Sequence, residues 1–397
     1  MPRQADHPVT LTSLLDRVRE IEPVLRVHSI EAESERRLPA VVAQAMQEQG
    51  LFRMWKPRAF GGYEVDPMTA FRVFEEVSRI DSAAGWNLQL SCGAEPFAAW
   101  FPDDGAQEAF NHPNGILGGA FFPPRKAVAE KGGYRLSGQT PFASGAHHCG
   151  WFLGLAHAYD GDQPRLWDNG ERVTLITAFS ANDVQILDTW HTLGMRGTGS
   201  HDILLSDVFV PERRAALLVP RKTSGSAYQG PLYRYTAWAS IAALSSVSLG
   251  IARAAIDELI ELAGKKAPAY TARILKDRST VQMALGQAEA ILGAARAYLY
   301  EALQEVWERV CNGEFIDLPG KIKLQLAGTH AAASAVQAVD LVQSAVGTSG
   351  VRQTHRFERH FRDIHTITHH GYISPSRYES VGQLLFGVPV EWPFYQI

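Results

Sequence analysis

Cysteine is scarce in this chain. Its 397 residues hold three, Cys92, Cys149 and Cys311, far apart and without a CxxC spacing. That argues against a disulfide framework and against a structural zinc site. A basic excess is lacking too: 42 Asp+Glu face 38 Lys+Arg, for a formal net charge of -4. Without a basic field, nucleic acid is not an expected partner, although a local arginine cluster can still hold a small anion. No run of about 18 apolar residues stands out as a membrane span. The start, MPRQADHPVTLTSLLDRVREIEP, is polar and amphipathic and lacks the apolar core of a signal peptide. The expectation is a cytoplasmic protein with no membrane partner. Internal repeats are absent as well.

The residues that are there fall into three textures. Their number, with 46% hydrophobic content, suits two or three domains. From Leu11 to about Phe110, apolar residues recur at helical spacing, as Leu38, Val41, Val42, Ala45 and Met46 do before Gly50. In MTAFRVFEEVSRI, the residues Phe71, Phe74 and Val77 share one face, and Asp81-Ser82 can cap the next helix. From Gly115, short β-branched and aromatic segments alternate with Gly, Pro and Asp, and Lys131-Gly132-Gly133-Tyr134 reads as a hairpin turn. That spacing predicts a small antiparallel barrel or sandwich. After about Tyr228 come long helices rich in small residues, the pattern of a four-helix bundle. The expected α+β organisation is a helical domain over 1–114, a β domain over 115–227 and a helical bundle over 228–397.

Local motifs narrow this further. Leu193-Gly194-Met195-Arg196-Gly197-Thr198-Gly199-Ser200, running into HDILLSDVFVPERR, resembles the signature of the acyl-CoA dehydrogenase family. A second stretch, Gly133-Tyr134-Arg135-Leu136-Ser137-Gly138 continuing to Phe142-Ala143-Ser144-Gly145, is similar to the family strand whose Trp and Thr lie against a flavin ring. Phe142 takes the place of that Trp and Ser144 of that Thr, with Gly145 beside them. The third stretch is His360-Phe361-Arg362-Asp363 continuing to His369-His370. Many family members place a catalytic Glu about eight residues after this Asp; here that count reaches Gly371, whose neighbour is His370. Glu379 falls too late and opens a helix, where a carboxylate suits the N-terminal dipole.

An Arg-Asp pair followed by His resembles a different branch, the two-component (group D) flavin-dependent monooxygenases of this fold. The resemblance covers nearly the whole chain. It implies reduced FMN or FAD, with FMN favoured, supplied by a separate flavin reductase, O2 as cosubstrate, a C4a-hydroperoxyflavin, and hydroxylation of a small aromatic of phenol or indole type. It also implies a homotetramer. Within it His370 is the catalytic histidine and His369 the reserve choice. With an ordinary pKa near 6.5, such a histidine can deprotonate a phenol or indole N–H. Ser144 would hydrogen-bond the flavin N5. Arg273, Arg278 and Ser349, the last within Gly347-Thr348-Ser349-Gly350, would serve the flavin phosphate, and Trp86 and Asn87 the substrate. Trp100, Trp151 and Trp190 read as core. His365 reads as a structural hydrogen-bonding residue, and no metal site is expected. The competing enzyme reading is an FAD-dependent acyl-CoA dehydrogenase with Glu379 as base.

Overall fold

Apolar spacing and small residues set the elements of the computed structural model, which describes residues 9–110, 115–219, 223–269, 271–392 and 395. The first eight residues of the polar start lie outside it, as do 111–114 beside the expected first domain boundary. Six helices come first: α1 (Leu11–Val27), α2 (Ser29–Glu35), α3 (Ala40–Glu48), α4 (Pro67–Ile80), α5 (Ser82–Ala94) and α6 (Asp103–Phe110). Nine strands follow: β1 (Leu117–Gly119), β2 (Arg125–Glu130), β3 (Gly133–Thr140), β4 (Trp151–Asp160), β5 (Gln163–Pro164), β6 (Thr174–Ser180), β7 (Gln185–Leu187), β8 (Asp202–Pro211) and β9 (Ala215–Leu217). The remaining helices are α7 (Pro231–Arg234), α8 (Thr236–Ala263), α9 (Ser279–Cys311), α10 (Leu318–Val346), α11 (Phe357–Ile367) and α12 (Ser376–Phe386). Helices, strands, helices is the order the sequence predicts.

The chain divides into two compact units: 1–66, 87–191 and 196–236 form one, and 67–86, 192–195 and 237–397 the other. The first unit holds the sheet, in the order β7-β8-β3-β2-β4-β6-β9 with β1 and β5 also on β4. The expected antiparallel pairing is corrected here: β4 runs parallel to both β1 and β2, so the sheet is mixed. The cause is connectivity. The Gly145 turn separates β3 from β4 and returns the chain in the direction of β2, whereas the β2–β3 hairpin at Lys131-Gly132 is antiparallel as expected. Phe152 and Phe179, fully buried and stacked at 5.9 Å, anchor the β4–β6 ladder.

In the second unit, small residues bring long helices together. A Cβ at Gly328 of α10 would meet the Ile241 side chain of α8 at 2.3 Å, and Ser245 of α8 donates to the Gly328 carbonyl at 2.9 Å. Residues Trp238–Ala263 are, by length and mean hydropathy of 1.6, apolar enough for a membrane crossing, which the sequence reading missed. Of the apolar window, 89% is buried inside the protein, so α8 is the core helix of a bundle. Phe71, Phe74 and Val77 of α4 are fully buried on one face, as their spacing requires.

Candidate active site

Two clusters of polar chemistry are buried in the molecule, one in each unit. In the first unit the chain leaves β3 through a turn with two left-handed residues, Phe142 at φ +62 and Gly145 at φ +70. The turn is pinned by backbone bonds from Ala143 N–H to the His201 carbonyl (3.0 Å) and from Gly145 N–H to the Thr198 carbonyl (2.9 Å). Two sequence motifs thereby become one surface. Their side chains form a hydroxyl chain, Ser144 to Ser200 at 2.5 Å and Ser200 to Thr198 at 2.6 Å, with all three residues buried. Thr198 and Ser200 were not singled out in the sequence; their alternation in Gly-Thr-Gly-Ser, on a signature already recognised, was the available signal.

Phe142 is 67% exposed, and its ring meets the edge of Trp190 at 6.1 Å. Trp190 is half-buried rather than core, whereas Trp100 and Trp151 are buried as expected. Asn87 of α5 is buried, and neither its Oδ1 nor its Nδ2 has a hydrogen-bond partner among the described residues. A Cβ at Gly145 would lie 3.4–3.5 Å from that amide, so glycine keeps the turn close to it. An exposed aromatic face, a hydroxyl chain and an unmatched amide suit a flat heterocycle with polar edge atoms, and a flavin is such a group. The neighbouring histidines are tied up structurally. A ring nitrogen of His148 bonds the Leu38 carbonyl at 2.8 Å, and His201 Nδ1 accepts the N–H groups of Thr189 and Trp190 at 3.2 Å. Burial, then the charge of Arg37, pushes His147 down to about 4.

The second cluster gathers around Asp363 of α11, a fully buried carboxylate. One oxygen accepts the Ser82 hydroxyl at 2.5 Å and the other the Met195 N–H at 2.5 Å. Arg359 donates to Asp81 at 2.8 Å and lies 3.5 Å from Asp363. Asp81 in turn accepts the Ala84 N–H at 2.9 Å and caps α5. Arg362 donates to the Leu193 carbonyl at 2.8 Å, and a Cβ at Gly194 would come within 2.3 Å of the Arg362 carbonyl. The Arg-Asp pair and the Leu193-Gly194-Met195 end of the signature are therefore one construction. From sequence Ser82 was read only as part of the Asp81-Ser82 cap and Arg359 not at all, because the Ser82–Asp363 and Arg359–Asp81 contacts join distant parts of the chain.

His370 follows α11. Its ring lies edge-on to Trp86 at 5.8 Å and to Tyr372 at 5.1 Å. Its Nδ1 accepts the Tyr372 backbone N–H at 3.3 Å, so the neutral imidazole carries its proton on Nε2. Burial pushes its pKa down to about 4. The expected base near 6.5 is corrected accordingly: at neutral pH this ring is an uncharged donor at Nε2 and a weak base, because desolvation opposes its protonation. His369 is exposed, and His365 bonds Asp340 at 3.0 Å, the structural role expected of it. Glu379 is exposed in the first turn of α12, as a helix-terminal charge would be.

Arg273 and Arg278 are exposed at the approach to α9, with Arg278 as its N-cap residue. Ser349 is buried, and its hydroxyl accepts Lys266 Nζ at 2.8 Å. Lys266 also donates to the Val346 carbonyl at 2.8 Å and is the cation of this turn. It was not anticipated, since it lies far from Ser349 in sequence.

Comparison with known proteins adds to this geometry. Residues 13–104 match the family model described as acyl-CoA dehydrogenase, N-terminal domain, and residues 242–375 the one described as acyl-CoA dehydrogenase, C-terminal domain. The chain is 31% identical over 380 residues to an indole-3-acetate monooxygenase of Pseudomonas putida, covering 94% of this chain and 92% of that protein. It is 27% identical to the oxygenase component of an FADH2-dependent resorcinol hydroxylase of Rhizobium sp., covering 90% of each. Among solved structures, XiaF of Streptomyces sp. in complex with FADH2 and glycerol superposes with a TM-score of 0.88 at 28% identity, covering 96% of this chain and 97% of that one.

Proposed function

The chain belongs to the acyl-CoA dehydrogenase-fold family, in its flavin-dependent monooxygenase branch, and from that premise we propose that it is the oxygenase component of a two-component aromatic monooxygenase. It takes reduced flavin from a separate reductase and, with O2, oxygenates a small aromatic of indole or phenol type. The observation that carries this reading is His370: a neutral, desolvated imidazole follows the Arg-Asp pair where a dehydrogenase needs a carboxylate. The relative from Pseudomonas putida supports an indole-type substrate. XiaF holds FADH2, so FAD stands in this reading beside the expected FMN.

A bound reduced flavin would supply the two electrons for O2 activation, by which one oxygen atom goes to the substrate and the other leaves as water. The chain's residues do the rest. Phe142 offers a ring face to the flavin, and Ser144, backed by Ser200 and Thr198, a hydroxyl to its polar edge. The unmatched amide of Asn87 serves substrate or flavin. Trp86 and Tyr372 pack edge-on against the half-buried His370 ring. His370 holds a proton at Nε2, ready to donate to an oxygen that gains negative charge. Lys266, through Ser349, and the exposed Arg273 and Arg278 supply cations for the flavin phosphate. Part of this reading is a cytoplasmic homotetramer; its assembly is supported by apolar side chains such as Met283, Leu385 and Phe386 that stand exposed on bundle helices. No observation favours the dehydrogenase reading, because Glu379 is exposed at a helix start.

Rapid mixing of the protein and reduced flavin with O2 tests the proposal. We expect a transient absorbance unlike that of either oxidised or reduced flavin, and oxygenated product when an indole is present. Anaerobic reduction of bound flavin by an acyl-CoA, without that transient, would overturn it.

A further inference from the structure

In the first unit, Arg125 at the start of β2 is only 3% exposed and faces no carboxylate among the described residues. Its Nη1 donates to the Ala120 carbonyl at 3.0 Å, and the guanidinium lies 4.9 Å from the centre of the Phe179 ring. Nε and Nη2 have no acceptor. Room for the side chain comes from Gly154, where a Cβ would meet Nη1 at 2.4 Å. A buried cation with open donors is costly to fold around unless an anion completes it. Burial without a counter-charge also lowers its pKa to about 10.

The surroundings indicate which anion. The Ala120 carbonyl that holds Arg125 is followed by Phe121, whose half-buried ring packs on half-buried Phe97 at 4.9 Å. On the other side, the chain before Ala120 is β1, bonded from Leu117 N–H to Ser91 of α5 at 3.2 Å. At Gly118 of β1 a Cβ would touch Cys149 at 2.9 Å, and Cys149 Sγ donates to the Gly145 carbonyl of the Ser144 turn at 3.3 Å. Contacts thus connect the turn assigned to flavin, a half-buried aromatic pair and a guanidinium whose Nε and Nη2 have no acceptor among the described residues.

We propose that Arg125 is a specificity residue that binds the carboxylate of an aromatic acid, so that this oxygenase prefers arylacetate-type substrates over their neutral analogues. The proposal rests on the oxygenase reading for the location of the substrate. Fixed in a low-dielectric setting, the guanidinium gives two N–H groups to the carboxylate, a charge-assisted pairing that a neutral methyl group cannot replace.

The test uses the enzyme with reduced flavin under anaerobic conditions. Indole-3-acetate and 4-hydroxyphenylacetate are titrated beside their neutral counterparts, 3-methylindole and 4-methylphenol. We expect the wild type to bind at least one acid more tightly than its counterpart. In Arg125→Met that acid should weaken on the order of tenfold or more, with the neutral pair within about twofold of wild type and Tm unchanged or raised, since an unpaired buried cation has been removed. A structural arginine would give the opposite: a lowered Tm and equal weakening of acid and neutral ligands. Either that result, or Arg125→Met binding the acid as the wild type does, or a wild type without acid preference, overturns the proposal. The oxygen-dependent transient, recorded without substrate, judges the oxygenase reading separately, so the two failures can be told apart.

Discussion

The Ser144 turn and the His370 loop both hold a polar side chain in a water-poor setting, but by different means. Around Ser144 the backbone does the holding: a left-handed glycine and two main-chain bonds place three hydroxyls in a row. Around His370 the ring is fixed by one main-chain bond and two aromatic edges, and its helix is tied in by the buried charges of Asp81, Arg359 and Asp363. The difference teaches where each site is vulnerable. Loss of one hydroxyl leaves the turn standing. Loss of Asp363 unbalances the buried charge group and takes the acceptor from Ser82 and the Met195 N–H, a larger cost.

The largest expected effect comes from breaking the charged side of that comparison. Asp363→Ala removes the acceptor of the buried Ser82 hydroxyl and the Met195 N–H and leaves Arg359 with Asp81 as its carboxylate, and should cost about 3–5 kcal/mol of stability. Chemical denaturation measures it, and Asp363→Asn should lose less because it keeps an acceptor oxygen. His370→Ala comes next. It removes a donor and not a buried charge, so the protein should fold and bind flavin while product formation falls by about 10²-fold. Single-turnover product analysis would detect this, and a fall of less than threefold would count against a catalytic role.

Ser144→Ala should be milder. Ser200 keeps its bond to Thr198, so the turn survives, and the yield of product per O2 should fall by about tenfold or less while released peroxide rises. A pH dependence is shared by both regions. His147 and His370 are held at about 4 against an ordinary 6.5. As pH falls from about 6.5 towards 4, the unfolded chain takes up protons that the folded chain refuses, so stability is greatest above that window and declines across it. Tm measured against pH should show the decline, and His370→Ala should flatten it.

Much of the fold was legible because its signals are local. Helical spacing in Phe71, Phe74 and Val77, the Asp81-Ser82 cap and the Lys131-Gly132 hairpin each need only a few neighbouring residues. The parallel pairing of β4 was not legible, since strand direction depends on where the whole chain returns. At the site, Ser144 and His370 could be named from motif and count. Ser200, Lys266 and Arg125 could not, nor could the bond from Ser82 to Asp363, because nothing beside them in the chain marks what they meet.

The sequence by itself determined the family, the order of helices and strands, and the absence of a carboxylate after Asp363 where His370 stands. Those properties reside in residue identity and spacing, which survive without coordinates. Only the tertiary structure decided that His369 is exposed while His370 packs against Trp86 and Tyr372, that burial lowers the His370 pKa, and that Arg125 meets no carboxylate among the described residues. Each of these depends on burial and on partners brought from far along the chain, and desolvation is a property of the folded surroundings rather than of the residue.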